Sequence, residues 1–404
     1  MLKNAEWTAA RDLLLARTVP VETETVPLAD CAGRVLGFDL LASSDVPPFD
    51  RSAYDGYALR AADTAGASAE TPVTLSVTET IPAGKTATLP VTAGRAAHIM
   101  TGAPIPGGAD CVVMFEKTRF TDETVTLTAP LRPGDNIVKR GEDVRKSSLL
   151  ARRGTPVDAG LAGALAAQGI AAVQVYRRPV IGLVSTGSEV TEPGEGLAAG
   201  KIYNSNRAIL TALLAKESCI VRYLGLAGDE TAAIRDLIAE GLGACDAVIL
   251  TGGVSVGDWD VTPEAMEQAG ATLLVRGVSM KPGMACAYGI AGNKPVIGLS
   301  GNPASALTNF CACVLPAVRR LCGRKDALPR TVTAFLVRGF AKKSPSDRFL
   351  RGRLFLEDGT VRFDAAPDQG NVVLSGTVGC HVFLLIPAGS PPVEAGTRLT
   401  GFMI

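Results

Sequence analysis

Asp258 and Asp260 close a segment that begins as an unbroken apolar run at residues 247–250 and passes through Thr251, Gly252, Gly253, Ser255 and Gly257. Carboxylate oxygens suit a hard cation. Glycines let backbone approach a ligand closely and take positive φ. The apolar run is the pattern of a strand buried on both faces. Thr262-Pro263-Glu264 reads as a helix start, with an N-cap, a proline at the first helical position and an acid in the first turn. The carboxylates therefore fall between the carboxyl end of a strand and a helix, which is where open α/β sheets bind ligands. A glycine-rich turn with two solvated aspartates fits the same residues equally well. It is not a P-loop, since Gly-Lys-Ser/Thr is missing.

Positioning such a loop takes a sheet, and the surrounding pattern supplies one. A strand at 180–184 runs into Ser185-Thr186-Gly187-Ser188-Glu189. A helix at 206–216 follows, then a strand at 221–226, Gly228-Asp229, and a helix to about residue 242. After the 247–250 strand and its helix come a strand at 272–275, Met280-Lys281-Pro282-Gly283, a last strand at 295–299, and Ser300-Gly301-Asn302-Pro303 before an apolar helix. Alternating strands and helices imply a doubly wound parallel sheet. Its topology sets the small, hydroxyl- or glycine-rich loops at 185–189, 251–260 and 300–303 along one rim, where they can line one crevice.

The remainder is different in kind. Residues 5–17 read as a helix with an apolar face at Leu13, Leu14 and Leu15. Asp50, Arg51, Ser52 and Asp55 crowd a loop stiffened by Pro47 and Pro48, with Asp55-Gly56 as a turn signal. Residues 59–140 read as all-β, with alternating stretches at 71–78, 86–92 and 124–129. Residues 101–110 form a turn-rich loop, either an ordinary connection or a backbone anion nest. A helix spans 158–168 and ends at Gly169. Residues 331–404 return to β as a small barrel, and 346–353 gather cations that bind an anion or are solvated.

Composition excludes several classes. The 404 residues exceed one core, so two to four domains are expected. Lys+Arg and Asp+Glu are both 40, which argues against bulk nucleic-acid or membrane-surface binding. With only His98 and His381, a histidine zinc site or a Ser-His-Asp triad is hard to build. The nine cysteines include no Cys-x-x-Cys and read as buried reduced thiols. There is no signal-peptide pattern and no apolar run of spanning length, so a soluble cytoplasmic protein is expected.

Seven motifs then stand in order: Pro47-Pro48-Phe49-Asp50-x-Ser52-Ala53-x-Asp55-Gly56-Tyr57-Ala58, Thr101-Gly-Ala-Pro-Ile-Pro, Gly141-Glu142-Asp143, Ser185-Thr186-Gly187-x-Glu189, Gly252-Gly253-Val254-Ser255-Val256-Gly257, Lys281-Pro282-Gly283 and Gly301-Asn302-Pro303-x-Ser305-Ala306. The set resembles the molybdopterin molybdenumtransferases, the molybdenum insertases of molybdenum-cofactor synthesis, and is similar to the insertase domain of gephyrin. The likeness covers nearly the whole chain. It implies a discontinuous dimerisation domain (1–45 and 142–177), an inserted β domain (46–141), an α/β molybdopterin-binding domain (178–328) and a C-terminal β barrel (329–404).

The resemblance further implies a homodimer with active sites between subunits. The implied substrates are adenylyl-molybdopterin and molybdate, AMP is released, and Mg2+ assists. Handover from a molybdopterin adenylyltransferase is the implied source of the pterin nucleotide. By match to the motifs, Asp260, Asp55, Asp143 and Glu189 are the catalytic candidates, and Asp260, Glu189 and Asp229 the metal candidates. Substrate-binding candidates are Ser185, Thr186, Gly187, Asp229, Gly252, Gly253, Ser255, Asp258, Lys281, Gly301, Asn302, Pro303, Ser305 and Arg351. Molybdate is a dianion, and Lys281, Arg351 and the metal are the expected counter-charges. Four positions depart from the family pattern: Met284 for a second lysine, Ser300 for a proline, Ser188 for an aspartate, and Gln369-Gly370-Asn371 for a serine-rich turn. Met284 and Asn371 favour one alternative, a catalytically weak paralogue that binds the pterin nucleotide as carrier or scaffold, and the departures leave a second open, a tungsten-selective insertase. A molybdopterin adenylyltransferase fits less well, because the extra β domains and the Pro-Pro-Phe-Asp loop have no place in it.

Overall fold

The structure is a computed structural model of the chain and describes residues 1–254 and 261–404. Its internal contacts gather into two compact units. One comprises Met1–Phe38, Arg153–Ala159 and Ala172–Ile404; the other comprises Asp39–Arg152 and Gly160–Ala171.

The first unit is built on a seven-stranded sheet. Its order is Leu2–Ala5, Thr272–Val278, Cys286–Ala291, Lys294–Leu299, Ala247–Thr251, Val180–Thr186 and Ile220–Ala227. The last four strands are mutually parallel. Every residue of Ala247–Thr251 is buried, and the apolar run of its first four residues is what a central strand covered on both faces requires. Two features were not expected from the sequence. Cys286–Ala291 inserts antiparallel between Thr272–Val278 and Lys294–Leu299, so one end of the parallel sheet is mixed. Leu2–Ala5 is a strand parallel to Thr272–Val278, and the first helix starts later, at Trp7–Ala16. That helix buries Trp7, Ala10 and Leu14, which are spaced to lie along one face.

The parallel strands appear along the sheet in the order fourth, third, first, second. The chain reverses direction between Val180–Thr186 and Ala247–Thr251, which makes their carboxyl ends the topological switch point. The core on one side of the sheet includes Leu14, Ile249, Tyr288, Phe310 and Val318, and continues into Phe349, Phe383 and Phe402 of the C-terminal region. Eight of the nine cysteines are buried and all are free, as expected of reduced core thiols.

The C-terminal barrel closes through five strands. Asp347–Glu357 pairs with both Thr360–Ala365 and Val382–Ile386, and Thr331–Leu336 and Arg398–Met403 complete the ring. Two links tie it to the sheet side. Met280–Lys281 adds parallel to Asp347 and Arg348, and Trp7 Nε1 donates to Asp347 Oδ2 at 2.8 Å.

The second unit holds a six-stranded sheet ordered Cys111–Met114, Gly56–Leu59, Arg95–Ile99, Val73–Ile81, Thr124–Leu127 and Thr118–Phe120. The expected strand at 86–92 does not form. Pro90 cannot donate to a ladder, and the Glu79 carboxylate takes the amides of Thr88 and Leu89 at 2.9–3.1 Å. The chain enters its next strand only at Arg95. Among the described residues, no helix is long and apolar enough to cross a membrane.

Candidate active site

Four parallel strands deliver their carboxyl ends to one cavity of about 1020 Å³. Val180–Thr186 brings Ser185, Thr186, Gly187 and Glu189; Ile220–Ala227 brings Asp229; Ala247–Thr251 brings Gly252 and Gly253; Lys294–Leu299 brings Gly301, Asn302, Pro303 and Ser305. Lys281 completes the wall from the strand that reaches toward the barrel. The structure thus brings together twelve of the residues singled out by sequence. Ser255, Asp258 and Asp260 lie outside the described residues.

The switch point is closely packed. Thr186 Oγ1 donates to Thr251 O at 3.1 Å. Gly252 has φ +106, and a Cβ there would overlap Thr186 Oγ1. Glycine is therefore required on conformation and on space together. Thr262, expected as an N-cap, sits one position inside the helix Thr262–Gln268 and does different work. Its Oγ1 donates to Gly252 O at 2.9 Å and its N–H to Gly253 O at 3.0 Å, so the two ends of the loop are pinned together.

Polar side chains fix the rim. Asn204 caps the helix Ser205–Lys216 by accepting from Arg207 N at 3.1 Å. Its Nδ2 donates to Ser185 Oγ and to Glu192 Oε1, both at 2.8 Å. Glu192 also accepts from Tyr223 Oη at 2.6 Å and from Arg207 Nη1 at 2.8 Å. Burial pushes the Glu192 carboxyl up, but those three donors together hold it below the usual range. Burial, and then the bond to Glu192, push the Tyr223 phenol up to about 12. On the other side, Asn309 donates to Gly283 O at 2.7 Å and accepts from Tyr288 Oη at 2.6 Å, a buried chain that holds the Lys281-Pro282-Gly283 turn.

The departures from the family pattern are also placed. Met284 lines the cavity and is 61% exposed. Ser300 Oγ accepts from Asn302 N at 3.2 Å, Ser188 N donates to Asp229 Oδ2 at 3.3 Å, and Asn371 joins the wall beside Val372 and Leu374.

Arg351 is not on the wall. It is fully buried in the barrel, where Nη2 donates to Gly370 O at 3.1 Å and its backbone N–H donates to Gln369 Oε1 at 2.9 Å. Its link to the cavity is the 368–371 turn it supports. Asp55 and Asp143 belong to the second compact unit. Asp55 accepts from both the N–H and the hydroxyl of Thr101 at 2.7 Å, and these bonds hold its carboxyl below the usual range. Asp143 is exposed, and its amide donates to Val46 O at 3.1 Å. The 101–110 loop spends several amides internally, on Asp55, Ser52, Met100, Asp50 and Pro106, so it is a structural connection rather than an anion nest. His98 stacks on Tyr57 with centroids 5.0 Å apart, a packing role.

Sequence reasoning did not single out Asn204 and Asn206, both of which line the cavity. Their signal was a polar residue just ahead of an apolar periodic run, the mark of a helix N-terminus next to a strand end.

The wall carries three charged side chains among the described residues: Glu189, Asp229 and Lys281. No group of three or more His, Cys, Asp or Glu among those residues is arranged to hold a metal. Magnesium keeps several waters and takes one or two carboxylates together with substrate phosphates, and Glu189 and Asp229 are the carboxylates on the described wall.

Comparison with known proteins agrees with this architecture. Residues 5–169 match the family model "MoeA N-terminal region (domain I and II)", and residues 182–320 match "Probable molybdopterin binding domain". The chain is 36% identical to a molybdopterin molybdenumtransferase of Staphylococcus aureus over 374 residues, covering 92% of this chain and 89% of that one. It is 36% identical to the molybdopterin molybdenumtransferase of Bacillus subtilis over 387 residues, covering 95% and 90%. The solved molybdopterin biosynthesis moeA protein of Pyrococcus horikoshii OT3 superposes with a TM-score of 0.86 at 31% identity over 100% of both chains. The chain therefore belongs to the molybdopterin molybdenumtransferase family, enzymes of molybdenum-cofactor biosynthesis.

Proposed function

We propose that the cavity binds adenylyl-molybdopterin and that the enzyme transfers molybdenum from molybdate to the pterin dithiolene, with cleavage of the phosphoanhydride and release of AMP. The observation that carries this reading is the convergence of Glu189, Asp229 and Lys281 with close-approach glycines at the switch point of the sheet. Phosphates are recognised by a cation and by backbone that can come near them, and both are present. Glu189 and Asp229 would hold magnesium, which when bound supplies positive charge at the phosphoanhydride. Lys281, exposed on its turn, serves the anionic end of the substrate as a mobile point charge. Asn302, Pro303 and Ser305 shape the opposite wall. Asp260 remains the proposed catalytic carboxylate of the loop that follows Gly253. Asp55 and Asp143 are proposed to serve the site across a homodimer.

The test incubates purified protein with adenylyl-molybdopterin, magnesium and molybdate and follows AMP by chromatography. Molybdate-dependent AMP release supports the insertase. Tight nucleotide binding with no AMP at any molybdate concentration refutes it and supports the second reading, a pterin-nucleotide carrier. Met284 favours that second reading, because it places a neutral thioether on the wall where the family carries a lysine.

A further inference from the structure

Three asparagines are buried in or beside the cavity: Asn204, Asn206 and Asn309. Asn204 and Asn309 have both ends of the amide bonded. Asn206 does not. Its Nδ2 donates to Gly301 O at 2.8 Å, and its Oδ1 is buried with no donor among the described residues. The residue is 7% exposed and lines the cavity. The amide orientation is fixed by chemistry. A carbonyl oxygen only accepts, so turning the amide over would set two acceptors against each other at bonding distance. The unfilled group is therefore an acceptor.

A buried acceptor without a donor costs free energy that a ligand N–H or O–H recovers on binding. Anions are excluded as its partner, since phosphate and molybdate oxygens are acceptors too. Asn206 stands at the second position of the helix Ser205–Lys216, two residues after the Asn204 cap. Both its backbone and its bond to Gly301 hold it rigid, so little entropy is lost when it is engaged.

We propose that Asn206 is a specificity-determining residue whose Oδ1 accepts an N–H from the amino-heterocycle of the substrate. This rests on the pterin-nucleotide reading above and adds which protein atom reads the ring. Two rings of that substrate offer an exocyclic amine, the pterin and the adenine, and the experiment separates them.

Calorimetric titration of the full chain uses four probes: 6-hydroxymethylpterin, the same ring without its 2-amino group, AMP, and purine riboside monophosphate, which lacks the 6-amino group. Each is titrated into the unmutated protein and into Asn206→Ala. For the ring that Asn206 reads, removing the amine is expected to weaken binding to the unmutated protein about tenfold or more. In Asn206→Ala the same removal should change affinity by less than about twofold, since the acceptor is gone. Such coupling for the pterin pair assigns the contact to the pterin, and for the AMP pair to the adenine. If removing the amine costs the same in both proteins for both rings, the inference is overturned while the functional reading stands. If the unmutated protein binds neither AMP nor the pterin, the functional reading fails and takes the inference with it. The ligand pairs measured on the unmutated protein need no variant to fold. If they show no amine dependence, that alone refutes the proposal.

Discussion

Asn204 is where the sheet rim, a helix start and a buried charge meet, so its replacement has effects that can be separated. Asn204→Ala removes the cap on Arg207 N, a loss of about 1 kcal/mol. It removes the donor to Ser185 Oγ, about another 1 kcal/mol. It also strips one of three donors from Glu192, which keeps Tyr223 and Arg207 and so is not left an unpaired buried charge. Roughly 1 kcal/mol is assigned to that bond, so the expected total is about 3 kcal/mol. Asn204→Asp distinguishes the parts. An aspartate caps as well as an asparagine, but it sets a carboxylate where an amide donated to Glu192 at 2.8 Å. Two like charges about 4 Å apart at an effective dielectric of ~20 repel by roughly 4 kcal/mol. The aspartate variant should therefore be less stable than the alanine variant near neutral pH, and should recover as acid protonates the carboxylate pair. Amide exchange at Arg207 and the first turn of Ser205–Lys216 is the assay, because unfolding of a chain with two compact units need not be two-state. An Asn204→Asp protein with wild-type exchange would refute the reasoning. It would mean that the side chain acts as a cap alone and that the Ser185–Asn204–Glu192 chain does not hold the rim.

Other outcomes follow from the same geometry. Glu189→Gln and Asp229→Asn should each lower magnesium-dependent AMP release by about 100-fold, the scale for removing a preorganised charge-stabilising group, while circular dichroism stays unchanged; activity within threefold of wild type would rule out their role. Glu217 is buried between Arg319 and Arg324 at 2.8 and 3.1 Å, so Glu217→Gln should destabilise the Leu315–Leu321 helix end by about 3–5 kcal/mol, measured by local amide exchange. The Tyr223 phenol is raised in the fold to about 12. The stability it contributes is complete below pH 10 and lost between pH 10 and about 12, so Tyr223→Phe should flatten alkaline unfolding in that window. For Glu192, lowered in the fold, stability is present above its ordinary carboxylate value and lost as pH falls through the lower folded value; Glu192→Gln should flatten the acid limb instead. Met284→Lys should lower the molybdate concentration for half-maximal AMP release, and an unchanged value would mean that the missing cation is already replaced elsewhere.

How far the sequence reaches depends on what kind of physics placed each residue. Residues 247–250 were legible because a strand covered on both faces is apolar, though the strand runs one residue further, through Thr251, and the loops at 185–189 and 300–303 followed from sheet topology. Cys286–Ala291 was missed because its small residues, Ala287, Gly289 and Ala291, carry little strand signal; pairing on both sides, rather than propensity, makes it a strand. Alternation at 86–92 misled because side-chain capture by Glu79 cannot be seen in a period of two. Arg351 shows a further limit. Its neighbourhood of cations suggested an anion site, but strand register turns it into the barrel, where burial lowers the guanidinium's proton affinity and two of its nitrogens, Nε and Nη1, have no partner among the described residues. Spacing identifies the charge; only packing says which way it faces.

The charge count of the cavity bears on why the family's lysine matters. With Glu189 and Asp229 against Lys281, the described wall has one more negative than positive charge. Yet the proposed substrates are a phosphoanhydride and an oxyanion dianion. At an effective dielectric of ~20, each unit charge held about 4 Å from a carboxylate without compensation costs roughly 4 kcal/mol, enough to exclude a dianion at ordinary concentrations. Magnesium held by Glu189 and Asp229 would give the described wall a net positive charge, so nucleotide and cation should bind as partners rather than rivals. Molybdate binding should then depend on magnesium. Met284 sharpens this dependence, because a neutral side chain at that place leaves Lys281 as the cation on the described wall that is present before any metal arrives. On the proposed function, a wall of this charge would disfavour molybdate until a counter-ion is seated, a dependence that molybdate titration with and without magnesium measures.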